Sequence, residues 1–128
     1  MKITAAMLRK HGACKEQVEI FRREWPDGAV VNRTNALRAV ALELDVNWVA
    51  LELLSGAALV QYRKAAGAAD TQYRKAVDAA WSQYQKAEAG GAALAACRKA
   101  QEAAWAEHYK AIALAFVEAV KKMEKKRD

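Results

Sequence analysis

The sequence predicts an all-α protein in which a cluster of short helices is joined to a long antiparallel, alanine-rich helical hairpin. Three observations carry this. Tyr62 to Ala87 reads YRKAAGAADTQ, YRKAVDAAWSQ, YQKA, so Tyr62, Tyr73 and Tyr84 recur every eleven residues. Eleven residues make three helical turns at about 3.67 residues per turn, which keeps the three tyrosines on one face. Gly90-Gly91, the only paired glycines, interrupts the alanine-rich stretch and reads as the hinge of a hairpin. Near the amino end, Cys14, Val18, Phe21 and Trp25 lie at spacings of four, three and four, an amphipathic helical stripe.

Taken in order, Thr4 is placed to cap a short helix, Ala5 to Lys10, that stops at His11-Gly12, where glycine can take the left-handed conformation. The second helix, Cys14 to Trp25, is closed by the turn Pro26-Asp27-Gly28. Ala29-Val30-Val31 reads as a loop with apolar anchors, because so short a strand has no evident partner. Thr34 or Asn32 caps a third helix with Leu37, Val40, Ala41 and Leu44 on one face, and Asp45 caps a fourth, Val46 to Leu54. In that fourth helix Val46, Val49, Leu53 and Trp48, Leu51, Leu54 cover most of the circumference, so it is expected to be the centre of the amino-terminal core.

Ser55-Gly56 divides this short-helix module, residues 1–55, from the hairpin, residues 56–128. The first long helix is expected from Ala57 to Ala89, roughly 50 Å. The second is expected from Ala92 to about Met123, with a basic tail, Lys121 to Arg127, that frays. The repeat crosses the hinge: Cys97 to Trp105 copies Tyr73 to Trp81, with Cys97 standing where a tyrosine would be. Alanine fills 23 of the 63 positions from Ala57 to Ala119. So many small side chains let two helix axes approach toward the lower end of the ~8–10 Å packing range.

The 128 residues suit one domain able to bury roughly two-thirds of its unfolded surface. Charges interrupt every apolar run well short of the ~18 residues that a bilayer span requires. MKITAAMLRK also lacks the apolar stretch of a signal peptide, so a soluble, cytoplasmic protein without membrane contact is expected. Cys14 and Cys97 have no paired spacing and read as reduced, buried packing residues. The net charge of +6 is uneven: residues 1–61 hold 8 basic and 7 acidic side chains, residues 62–128 hold 13 and 8.

No stretch carries a catalytic, metal or nucleotide signature. His11 and His108 sit in no ligand spacing, Ser55 and Ser82 lie in no GxSxG, and no glycine-rich phosphate loop exists. A non-enzyme without a cofactor is therefore expected. The candidate binding residues follow the repeat: Arg63, Lys64, Tyr73, Arg74, Lys75, Trp81, Tyr84, Lys86, Arg98, Lys99 and Trp105. The basic rows are either a solvated face, helped by pairs such as Asp70 with Arg74 and Glu118 with Lys122, or a surface for phosphates with tyrosines stacking on bases. Asp70, Asp78, Glu88, Glu102 and Glu107 dilute the positive field and favour the solvated face. A narrow two-helix hairpin cannot cover Trp81, Trp105 and the tyrosine ladder alone, which predicts self-association or a partner.

GACKEQVEIFRREWPDG, LDVNWVALELLS and the AxxxYxKA repeats together resemble a group of small helical proteins encoded by phages, prophages and their bacterial hosts. The likeness covers nearly the whole chain. It implies a compact helical amino-terminal module followed by repeats of variable number. By analogy with small phage proteins that bind and block a host machine, it also implies an inhibitor that occludes a host defence complex, such as a CRISPR-type nuclease. The commoner repeat in that group is AWAEYEKA; here Arg-Lys follows tyrosine instead of Glu-Lys, which makes this surface more basic. The alternative reading is a weakly sequence-specific nucleic-acid-binding protein that uses the basic rows.

Overall fold

The structure, a computed structural model, describes residues 1–87 and 90–125. It contains six helices and one short antiparallel ribbon among those residues: β1 (Lys2–Ile3), α1 (Ala5–Lys10), α2 (Lys15–Glu24), β2 (Ala29–Val30), α3 (Arg33–Ala41), α4 (Val46–Leu53), α5 (Gly56–Lys86) and α6 (Gly91–Lys125). The all-α class and the hairpin of α5 against α6 are as the sequence predicts. Two boundaries differ from expectation: α5 ends at Lys86, with Ala87 already extended, short of the expected Ala89, and α6 stays helical to Lys125 across most of the tail expected to fray; Glu88, Ala89 and the residues from Lys126 lie outside the described residues.

Local chemistry explains the short helices. Thr4 accepts a hydrogen bond from the Met7 amide at 3.2 Å, and Gly12, at φ +86°, ends α1. Of the two possible caps for α3 it is Asn32 that serves, accepting from the Asn35 amide at 2.8 Å; Asp45 caps α4 through the Trp48 amide at 3.0 Å. Arg38 of α3 donates to Glu24 of α2 at 2.8 Å, and that bond holds the Glu24 carboxyl below its ordinary value.

Three sequence expectations are corrected. Ala29-Val30 is not a loop: it is β2, which pairs Lys2 with Val30 and Ile3 with Ala29. Gly28 permits the close approach, since a Cβ there would lie 2.8 Å from Lys2 Cε and 3.0 Å from the Ile3 carbonyl oxygen. Cys14 is exposed, because it is the cap residue that precedes α2 rather than a member of its apolar stripe, whereas Cys97 is buried. The centre of the core is not α4, where only Ala50 is buried and Leu51 is 45% exposed. It is the last third of α6, where Ile112, Ala113, Ala115, Phe116, Val117, Ala119 and Val120 are all buried as the amino-terminal module wraps around them.

The hairpin interface follows the eleven-residue period. On α5 the buried and half-buried positions include Ala58, Tyr62, Ala66, Ala69, Tyr73, Val77, Ala80 and Tyr84, spaced four, four, three; on α6 they include Cys97, Gln101, Ala104, His108, Ile112, Ala115, Ala119 and Met123. Tyr73 meets His108 across the interface, with ring centroids 5.4 Å apart. Eleven residues away in opposite directions, this register sets Tyr62 level with Ala119 and Tyr84 level with Cys97, so each large ring faces a smaller side chain. The tyrosine ladder is thus largely covered within one chain: Tyr62 is 1% exposed and donates to Asn47 Oδ1 at 2.5 Å, while Tyr73 and Tyr84 are half-buried.

Candidate functional site

One edge of the hairpin is built from residues that stand beside the buried rows. Asp70 precedes Trp81 by eleven residues and Trp105 precedes Phe116 by eleven, so each pair occupies one row of its helix. The two rows face the same side. Asp70 Oδ1 lies 2.5 Å from His108 Nε2, and Trp105 stacks on the His108 ring at 5.5 Å and 11°. Tyr73 meets Trp105 at 5.1 Å, and Tyr109 meets it edge-on at 4.7 Å.

Toward the base of the hairpin the amino-terminal module covers this edge, leaving Phe116 only 4% exposed. Toward the tip nothing among the described residues covers it: Trp81 and Trp105 are each 45% exposed and Tyr109 is 42% exposed. The exposed rings stand along this edge in two groups, Trp105 and Tyr109 with Tyr73 and His108, and Trp81 with Tyr84, and exposed aromatic clusters of this kind mark interaction surfaces. Trp81 also meets the half-buried Tyr84 edge-on at 5.7 Å, extending the aromatic edge toward the hinge.

The basic motif divides between two surfaces. Arg74 follows Asp70 by four residues and so stands on the aromatic edge, with Arg63 one repeat earlier. Arg98 lines a shallow depression with Tyr73, Gln101, Glu102 and Trp105. The lysines point elsewhere: Lys64, Lys75 and Lys86 each sit two residues after a ladder tyrosine, about 200° round the helix, on its outer face. Lys99 takes the equivalent place on α6, two residues after Cys97. All seven cations are exposed, and none forms an ion pair among the described residues. The expected pairs Asp70 with Arg74 and Glu118 with Lys122 are replaced by Asp70 with His108 and Glu118 with Lys121. Asp70 prefers the cross-hairpin partner because the His108 ring is already held by three neighbouring aromatic rings.

Asp70, His108 and Tyr109 escape a reading of the sequence for sites. The available signal is that His108 follows Cys97 by eleven residues, in the tyrosine position of the repeat. The His108 Nδ1 atom is buried and has no hydrogen-bond partner among the described residues. His11 pairs with Glu52 at 3.3 Å, far along the chain. Among the described residues no three His, Cys, Asp or Glu side chains converge as a metal-holding group, and no helix is long and apolar enough to cross a membrane.

No family model, no curated protein and no solved structure matches this chain.

Proposed function

We propose that the protein is a non-catalytic protein-binding module whose recognition surface is the distal hairpin edge formed by Trp81, Trp105 and Tyr109 with Arg74 and Arg98. The observation that carries this reading is the passage of one edge from covered to uncovered, from Phe116 beneath the module to Trp105 one repeat away. Tryptophan, tyrosine and arginine are the side chains that most often dominate binding energy at protein interfaces. Arg74 and Arg98, which form no ion pair among the described residues, match an acidic group on a partner surface.

The resemblance to small phage and prophage proteins supplies the target class within this proposal: a host defence complex, such as a CRISPR-type nuclease, held occluded by the hairpin. The test is a pull-down from nuclease-treated host lysate with the parent chain and with Trp81→Ala plus Trp105→Ala. A protein retained by the parent and lost from the double variant supports the reading. If the only partners vanish on nuclease digestion, the reading gives way to nucleic-acid binding.

That second reading has one observation in its favour, the row Lys64, Lys75 and Lys86 exposed along the outer face of α5. It predicts a log affinity that falls with log salt by about 0.7 to 0.9 per phosphate neutralised, with little sequence preference. The arginines lie about 100° away from the lysines that follow them, so one backbone engages one row at a time.

A further inference from the structure

The amino-terminal module forms a half-open cavity of about 530 Å³ between its short helices and Phe116 of α6. Protein interiors contain few voids larger than a water molecule, whereas cavities of about 300–1,000 Å³ are the size that holds small organic ligands. Small side chains make this space: Gly12, Ala13, Ala29 and Ala39 all line it where larger ones would close it. Its walls are aromatic, with Phe21 and Trp25 tilted against each other at 5.1 Å and Trp48 and Phe116 contributing two further rings.

Three polar side chains at the cavity, Asn35, Gln17 and Asp45, are already engaged. Asn35 accepts from the Trp25 indole at 3.3 Å and donates to the Val30 carbonyl at 2.8 Å. Gln17 accepts from the Asp45 amide and donates to the Glu43 carbonyl, and the Asp45 carboxylate caps α4. No cation lines the cavity, and its one carboxylate is held by a backbone amide. An occupant gains burial and ring contact there; an anion finds no counter-charge, and the single carboxylate, that of Asp45, faces solvent.

We propose that this cavity is a binding site for an uncharged, aromatic small molecule, held between the module and α6. Such a ligand would touch Phe116, in the row that continues outward to Trp105, but the site is separate from the hairpin edge and stands whether or not that edge binds a protein. Trp25 and Trp48 are built-in reporters.

The experiment is a fluorescence titration of the full chain with N-phenyl-1-naphthylamine, a neutral apolar probe, in a Trp81→Phe plus Trp105→Phe background so that only Trp25 and Trp48 emit. Saturable one-to-one binding is expected, with quenching of both tryptophans and a rise in probe emission. Ala39→Leu, which fills the cavity, is expected to weaken binding by roughly tenfold or more. Cys14→Phe at the exposed rim should weaken it too, and it decides the matter if the leucine variant does not fold. Absence of saturable binding, binding indifferent to the rim and filling substitutions, or equal affinity for the anionic analogue 1-anilinonaphthalene-8-sulfonate would each overturn the proposal.

Discussion

Tyr73 of α5 and His108 of α6 face each other across the hairpin with ring centroids 5.4 Å apart, and that pairing marks the register of the two long helices. From it follow the burial of Tyr62 opposite Ala119, the closure of Asp70 onto His108, and the exposure of Trp105 on the flank. One register thus accounts for both what the hairpin buries and what it displays.

Burial raises the Tyr62 phenol to about 12 from an ordinary value of 10.0, with the negative charges of Asp45 and Asp70 adding to the effect. A folded-state value above the unfolded one means that the stabilisation is complete below pH 10.0 and is lost as pH rises toward about 12. Denaturant unfolding across that range is expected to show a fall in stability. Tyr62→Phe should abolish the fall and, by stranding Asn47, cost about 1 kcal/mol at neutral pH.

The core prediction separates α6 from α4. Phe116→Ala is expected to cost ~3–5 kcal/mol by leaving a cavity at the junction of module and hairpin, whereas Leu51→Ala on α4 should lie within about 0.5 kcal/mol of the parent. Equilibrium unfolding in urea reads both. Equal costs would return the centre of the core to α4.

Much of this architecture is legible in the sequence, and the failures have physical causes. The eleven-residue tyrosine period, the capping side chains Thr4 and Asp45 and the glycine hinge are local signals, readable because each acts within a few residues of itself. The ribbon of Lys2–Ile3 with Ala29–Val30 is too short to show a period of two, and its partner strands lie far apart in sequence. In α6 the run AIALAFVEAV resembles the alanine-rich helix around it, and only the wrapping of the module turns it into the core. Cys14 has the spacing of a stripe residue yet falls at the cap, where the side chain points to solvent. Among the site residues, the exposure of Trp81 and Trp105 is foreseeable from the narrowness of two helices, but the separation of arginines from lysines needs the observed facing of α5 and α6.

The ribbon provides a backbone test. Gly28 has φ +93°, and an added Cβ would crowd the Ile3 carbonyl oxygen, which cannot swing away as a side chain can. Gly28→Ala is expected to destabilise the protein by more than about 1 kcal/mol, with hydrogen exchange accelerated at the ribbon amides Ile3 and Val31. Gly67→Ala meets no atom within 4 Å on α5 and should instead stabilise by about 0.5–1 kcal/mol.

The cross-hairpin pair is also measurable. Asp70 is 56% exposed and His108 14%, so solvent screens the contact, and a double-mutant cycle with Asp70→Asn and His108→Gln should return a coupling of only ~0.2–1 kcal/mol. Arg74→Gln should show no coupling to Asp70→Asn, because the helix-surface pair is not the one formed.

The most direct test of the proposed partner edge is site-specific photo-crosslinking in nuclease-treated cell lysate. A benzophenone side chain at Glu102, in the depression between Tyr73 and Trp105, is compared with one at Ala111, an exposed position about 60° round α6 from the His108 row on the side away from Trp105. A covalent adduct to a protein from position 102, absent from position 111, is the expected result. Adducts from position 111 alone, or none from either while an intact partner is captured, would contradict the assignment of the Trp81–Trp105 edge as the docking surface.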